Sequence, residues 1–252
     1  MSQTGLYIET RIRAGLDDIW ARTQDPAHHQ RWDLRFTEID HLPRAEDEPR
    51  HFRYATRVLP FLTVAGTGVS AGERERPDGT RTSALRFASP NPLSLLAEGS
   101  GYWRYVPDGD GVRFLTGYDY RPRWGRFGTA TDRCLLRPLM GWATAWSFDR
   151  LRLWLERGIT PERALRNWLT ELTVRAVVLA TAVAGLGVDS GGLFGPLAPL
   201  AAFLLPLISL VALSLALFAP PSPRTPAARR CLRTAPARAR APRLLTSLEQ
   251  PS

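Results

Sequence analysis

The stretch from Gly101 to Glu156, GYWRYVPDGDGVRFLTGYDYRPRWGRFGTATDRCLLRPLMGWATAWSFDRLRLWLE, reads as two strands followed by one long helix. Gly101 to Val106 and Val112 to Tyr120 alternate apolar and polar residues, the period of a strand with one buried face, around a DGDG turn at Asp108 to Gly111. From about Thr129 to Glu156 the period lengthens, and Leu135, Leu139, Trp142 and Trp146 form one helical stripe. Upstream, Tyr7 to Ala14 (YIETRIRA) reads as a half-buried strand, LDDIWARTQ as a short helix, and Asp25-Pro26 as the start of another. Further strand-like runs occupy Phe36 to Leu42, His51 to Leu59, Leu62 to Ala71 and Thr80 to Ala88, with a PDG turn at Pro77 to Gly79. A strand, two short helices, a run of strands and a long helix make an α+β domain, expected over residues 1–158.

Beyond that domain the character changes. Between Arg175 and Arg224 the only charged residue is Asp189, a composition suited to lipid. Ala176 to Val188 would give roughly 20 Å of helix against a hydrocarbon core of about 30 Å. The first span therefore extends back to about residue 169, taking in Glu171 and Arg175 as an i,i+4 pair and placing Trp168 at interface depth. Thr160-Pro161-Glu162 supplies a helix start, and GVDSGG at Gly187 to Gly192 the turn. A second span covers about residues 193–219, with Pro196, Pro199 and Pro206 expected to kink its first half. Arginines at both ends (Arg163 and Arg166; Arg224, Arg229 and Arg230) predict a hairpin over 159–219 with both ends cytoplasmic. A single crossing by the second stretch is the alternative. The first residues, MSQTGLYIETRIRAG, do not read as a signal peptide, so the expected location is the cell membrane, multi-pass, with domain and tail cytoplasmic.

The tail, residues 220–252, is rich in Pro, Ala and Arg and is expected to be disordered, with Cys231 a candidate for acylation. It also explains the charge. The chain carries +9 overall; Pro220 to Ser252 holds seven arginines against Glu249, a net +6, which leaves +3 elsewhere and argues against nucleic acid as a partner. Cys134 and Cys231 lie in different kinds of segment and predict no disulfide.

Charges mark the outer face of each strand and so assign the inner one. Arg53 and Arg57 send Phe52, Tyr54, Thr56 and Val58 inward; Arg86 does so for Leu85 and Phe87, and Arg104 for Trp103 and Tyr105. Arg113 and Asp119 leave Phe114, Thr116, Tyr118 and Tyr120 inside, opposite Trp142 and Trp146 of the helix. Such a surface suits an apolar ligand held by a few hydrogen bonds, or simply a filled core. Trp154 and Trp168 read as candidates for the lipid interface. No catalytic constellation is legible. His28 and His29 are expected at the surface or a cap, and adjacent residues diverge on a helix, so they make no metal pair, with or without His41 or Asp33. Gly66 to Gly72, GTGVSAG, reads as a strand with a bulge and not as a phosphate loop. No cofactor or metal is expected.

Ile12-Arg13-Ala14 with Asp18-Ile19-Trp20, then Asp25-Pro26, His29 and Trp32-Asp33, and later Tyr120-Arg121-Pro122, Gly125, Gly128 and Asp132-Arg133, resemble the START-like or SRPBCC superfamily over about residues 5–157. That superfamily includes polyketide cyclases and lipid-transfer domains. The resemblance implies a helix-grip fold, a curved antiparallel sheet around the long helix with a cavity between, but no single activity. The expected function is membrane-tethered binding of a hydrophobic small molecule or lipid. A polyketide cyclase or aromatase, and a membrane-anchored interaction module without a ligand, are the alternatives; no protein partner is identified.

Overall fold

A computed structural model describes residues 5–43, 51–59, 62–92, 94, 96–187 and 195–236. The chain forms two compact units, one from residues up to Pro161 together with those from Ala227 onward, the other from Glu162–Pro226.

The first unit is a seven-stranded antiparallel sheet in the order β1-β7-β6-β5-β4-β3-β2. Its strands are β1 (Leu6–Ile12), β2 (Glu38–His41), β3 (His51–Leu59), β4 (Leu62–Glu75), β5 (Arg81–Ala88), β6 (Leu96–Asp108) and β7 (Gly111–Pro122). Between β1 and β2 lie α1 (Leu16–Gln24) and α2 (Pro26–Trp32), the latter capped by Asp25, whose Oδ1 accepts from the Ala27 amide at 2.9 Å. A meander that brings its last strand beside the first, followed by a long helix, is the helix-grip arrangement. The Gly66–Gly72 stretch does carry a bulge, with the β4/β5 register shifting between Ser70 and Gly72 and φ of 118° at Gly72.

The single helix expected over Thr129–Glu156 is three pieces: α3 (Gly125–Thr131), a π turn (Asp132–Leu136) and α4 (Arg137–Arg157). Gly158, at φ 62°, ends α4 with its amide on the Trp154 carbonyl (3.1 Å) and the Ile159 amide on Leu153 (3.3 Å), a Schellman close. The expected stripe is only half right. Trp146 is 2% exposed, but Leu135 and Leu139 are 63% and 52% exposed. Instead Phe148, Leu151 and Leu153 reach the core, because α4 is covered on two sides, by the sheet and by the returning chain.

That return corrects the expectation of a disordered tail. Residues Ala228–Arg230 form a 3-10 turn, and Glu9 and Leu232 exchange two backbone hydrogen bonds of 2.9 Å, extending the sheet beyond β1. The buried carboxylate of Asp149, on α4, accepts from the Ala227 amide (2.8 Å), from Arg230 (2.9 Å) and from Arg152 (2.7 Å). A carboxylate buried in a helix needs such partners, and the tail supplies two of them. Cys231 is buried, with its thiol directed at the Ala145 carbonyl (3.2 Å), so it is inside the domain and not presented for acylation. Residues 237–252 of the tail lie outside the described residues.

In the second unit, α5 (Pro161–Leu186) and α6 (Ala198–Phe218) are each long and apolar enough to cross a membrane. Of the turn expected at Gly187 to Gly192, residues 188–192 lie outside the described residues. The two helices meet where Ala182 and Ser209 are buried; a methyl group on Gly185 would stand 2.6 Å from the Ser209 hydroxyl, so glycine permits the approach. At the other end Arg175 donates to the Ala216 (2.8 Å) and Ala219 (2.9 Å) carbonyls at the end of α6 and to Glu171 (2.8 Å), while Glu171 accepts from the Ser222 amide (3.1 Å). The i,i+4 pair thus also caps the second helix. α6 runs on through Pro206.

Candidate functional site

A cavity of about 490 Å³ lies on the inner face of the sheet in the first unit, within the usual range for a small-molecule site. Strand parity brings Phe52, Tyr54 and Thr56 of β3, Leu85 and Phe87 of β5, Trp103 of β6, and Thr116 and Tyr118 of β7 to its wall. Val58 lies outside the residues whose side chains are described.

The other inward residues go elsewhere. Tyr105 is fully buried, sharing a 2.6 Å hydrogen bond with Thr23 and accepting from Gln24 at 2.9 Å. Phe114 stacks on Phe148 of α4 with centroids 4.4 Å apart. The Tyr120 hydroxyl donates to Asp132 (2.5 Å) in the π turn. Trp142 and Trp146 stack on each other at 6.4 Å, with Arg150 over Trp146 at 5.4 Å, and neither is among the described lining residues. Trp154 does not await lipid: Arg22 and Arg31 lie 5.0 and 4.7 Å from its ring.

What strand parity could not supply is the polar end of the cavity. His29 of α2 and Arg35 of the following loop both line it, joined by the carboxylate of Asp33. His29 sits one helical turn before Asp33, Nε2 to Oδ2 3.1 Å. Arg35 clamps the same carboxylate through Nε (2.9 Å) and Nη2 (2.6 Å), a bidentate pair. Asp33 is 1% exposed. Burial alone would raise its carboxyl, but the Arg35 guanidinium and His29 outweigh that and hold it well below the usual carboxylate range. Burial also works against the charge on Arg35, which Asp33 nevertheless keeps protonated. His29 is enclosed by Trp32 (5.0 Å), Phe36 (5.3 Å) and Trp103 (4.8 Å), and this burial lowers its pKa despite Asp33.

His29 is thus not a surface or capping residue but part of the cavity wall, while adjacent His28 turns away to Asp25. Around this cluster Tyr118 donates to Thr144 (3.0 Å), which donates to the Met140 carbonyl (2.8 Å). Tyr54, its phenol pushed up to about 12 by burial, stays a hydrogen-bond donor at neutral pH. The cavity therefore joins an aromatic and aliphatic body to one fixed polar end, with a buffered imidazole beside a permanent cation.

No family model matches the chain. It is 45% identical over 168 residues to an uncharacterized membrane protein of Bacillus subtilis, YndG, a match covering 66% of this chain; the chain spans 63% of that relative's length. Among solved structures it is similar to a STAR-related lipid transfer protein from Xanthomonas axonopodis (20% identity, TM-score 0.45, 59% of this chain and 84% of that one). It is also similar to the Zhui aromatase/cyclase of a Streptomyces species (14% identity, TM-score 0.40, 58% and 94%). The helix-grip assignment rests on the strand order given above.

Proposed function

We propose that the first unit binds a hydrophobic small molecule or lipid in the inner-face cavity while the second unit anchors it in a membrane. The observation that carries this is the cavity itself: about 490 Å³ beneath a sheet whose inward side chains are large, left unfilled by the described residues. A filled interaction module would have packed that volume. Anchoring raises the effective concentration of a ligand dissolved in the same membrane. The connectivity, leaving the first unit at Pro161 and rejoining it at Ala227, supports two crossings with both ends on one side, and the arginines flanking the helices favour the cytoplasmic side.

The test is native mass spectrometry of the full chain, purified from its own host membrane and released from detergent in the gas phase, with organic extraction of anything bound. A stoichiometric apolar molecule that is lost in Leu85→Trp, which fills the cavity, is the expected result. An empty wild-type protein that takes up no apolar fluorescent probe would refute the reading.

His29 supports a second reading, an enzyme of the cyclase or aromatase kind. An imidazole oriented by a carboxylate, lining the same cavity as the Tyr54 and Tyr118 phenols, has the parts for moving a proton next to a carbonyl. On that reading His29→Gln abolishes turnover of a poly-β-ketone while leaving its binding intact; equal turnover in the variant would dismiss it.

A further inference from the structure

The cavity is bordered by the segment from Trp124 to Met140, and that segment exposes apolar side chains with nothing over them among the described residues. Phe127 is 70% exposed, Leu135 63%, Leu139 52% and Trp124 43%. Trp124, Leu136 and Met140 of the same segment line the cavity. Inward and outward apolar residues thus alternate along one rim. The backbone here is unusual twice over: Trp124 holds φ 68°, a left-handed conformation rare for a large side chain, and the π turn Asp132–Leu136 interrupts the helix. Beside the rim runs a second, open groove of about 1380 Å³ to which Arg86, Arg121, Arg126 and Arg133 contribute, along with Glu98 and Asp119. Arg121 is paired with Glu98 at 2.9 Å, whereas Arg126, next to Phe127, and Arg133, two residues before Leu135, stand exposed.

We infer that this rim is a docking surface for a bilayer carrying anionic headgroups, with Phe127, Leu135 and Leu139 entering the acyl boundary and Arg126 and Arg133 contacting phosphate. Three observations select lipid over another protein. The exposed residues are apolar and interleaved with arginine, the composition of an interfacial surface. The same chain carries two helices able to cross a membrane. The rim borders a cavity suited to apolar ligands, so docking would open it toward the phase in which such ligands dissolve. The purpose rests on the proposed binding function; the contact does not.

The experiment uses the full chain in nanodiscs. A bimane fluorophore is placed at Phe127→Cys or Leu135→Cys in a Cys134→Ser background, and at exposed Arg76→Cys as the control. Lipids carry a nitroxide near the headgroup end of the acyl chain. In phosphatidylcholine with about one third phosphatidylglycerol, both rim labels lose roughly half their emission or more, and less in phosphatidylcholine alone, while the control changes little. Rim labels quenched no more than the control would overturn the docking surface, whatever the cavity holds. Rim labels shielded from water yet unquenched by lipid would overturn it as well, by showing that protein covers the rim.

Discussion

Two ends of one sheet differ in what lies across from them. Under β1, β7 and the far part of β6, the inner residues Ile8, Ile12, Tyr105 and Phe114 are wholly buried, met by Phe148 and Leu151 of α4. Under β3 and β5, Phe52, Tyr54, Leu85 and Phe87 alternate in the same way but remain half-buried, because they face the cavity. Identical patterning has produced a core at one end and a chamber at the other. Alternation decides which face a side chain occupies; the element opposite decides whether that face is filled.

The largest effect is expected at the polar end of the cavity. Asp33→Ala leaves Arg35 charged and buried without its partner, and is expected to cost about 3–5 kcal/mol, measured as the shift in the denaturation midpoint of the full chain. Replacing both Asp33 and Arg35 with apolar residues should recover most of that loss; failure to recover any would show that packing, not charge, holds the loop. The two ends themselves are contrasted by Phe148→Ala and Phe87→Ala. The first should cost ~3–5 kcal/mol and the second under ~1 kcal/mol, since only the first opens a new hole in packed surroundings. Similar losses would mean that the chamber is a core after all.

Smaller effects sharpen the picture. Burial pushes the Cys231 thiol up to about 12, so a thiol-specific reagent should modify exposed Cys134 rapidly and Cys231 only slowly. Asp149→Ala, which removes the acceptor for Ala227 and Arg230, should bring labelling of Cys231 close to that of Cys134. The finest test is pH. His29 and Asp33 both have folded pKa values below their unfolded ones, so each contributes stability that is full above its unfolded pKa and is lost as pH falls. His29 acts first: below about pH 6.5 the unfolded chain takes up a proton that the folded one resists, and stability should decline there, with a second decline below about pH 4 from Asp33. His29→Asn should remove the upper step and leave the lower.

These contrasts also define what could be read in advance. The strands, their inward faces and the long terminal helix were legible because period and charge report them locally. The resemblance implied a chamber but not its extent, since Phe114 and Phe52 sit in equivalent patterns and only the placement of α4 separates them. His29 and Asp33 were visible as residues one helical turn apart, but their meaning depends on Arg35, which a loop carries back to the same carboxylate. The ordered part of the tail, as far as residue 236, was hidden by its composition, for Pro, Ala and Arg signal disorder. Its one clue was Asp149, a lone acid within the run WSFDRLRLWL, whose buried charge required partners from somewhere.

The returning segment has a consequence for how the protein is made. Leu232 is translated about seventy residues after Pro161, roughly 4–14 s later at ordinary rates of synthesis. Until then the free edge of β1 has no neighbour at Glu9, and Asp149 lacks two of its donors. The domain can therefore complete itself only after both apolar helices have left the ribosome. The order of synthesis thus leaves this edge of the first unit's sheet uncovered for longest, a template for wrong pairing until the chain returns to Glu9.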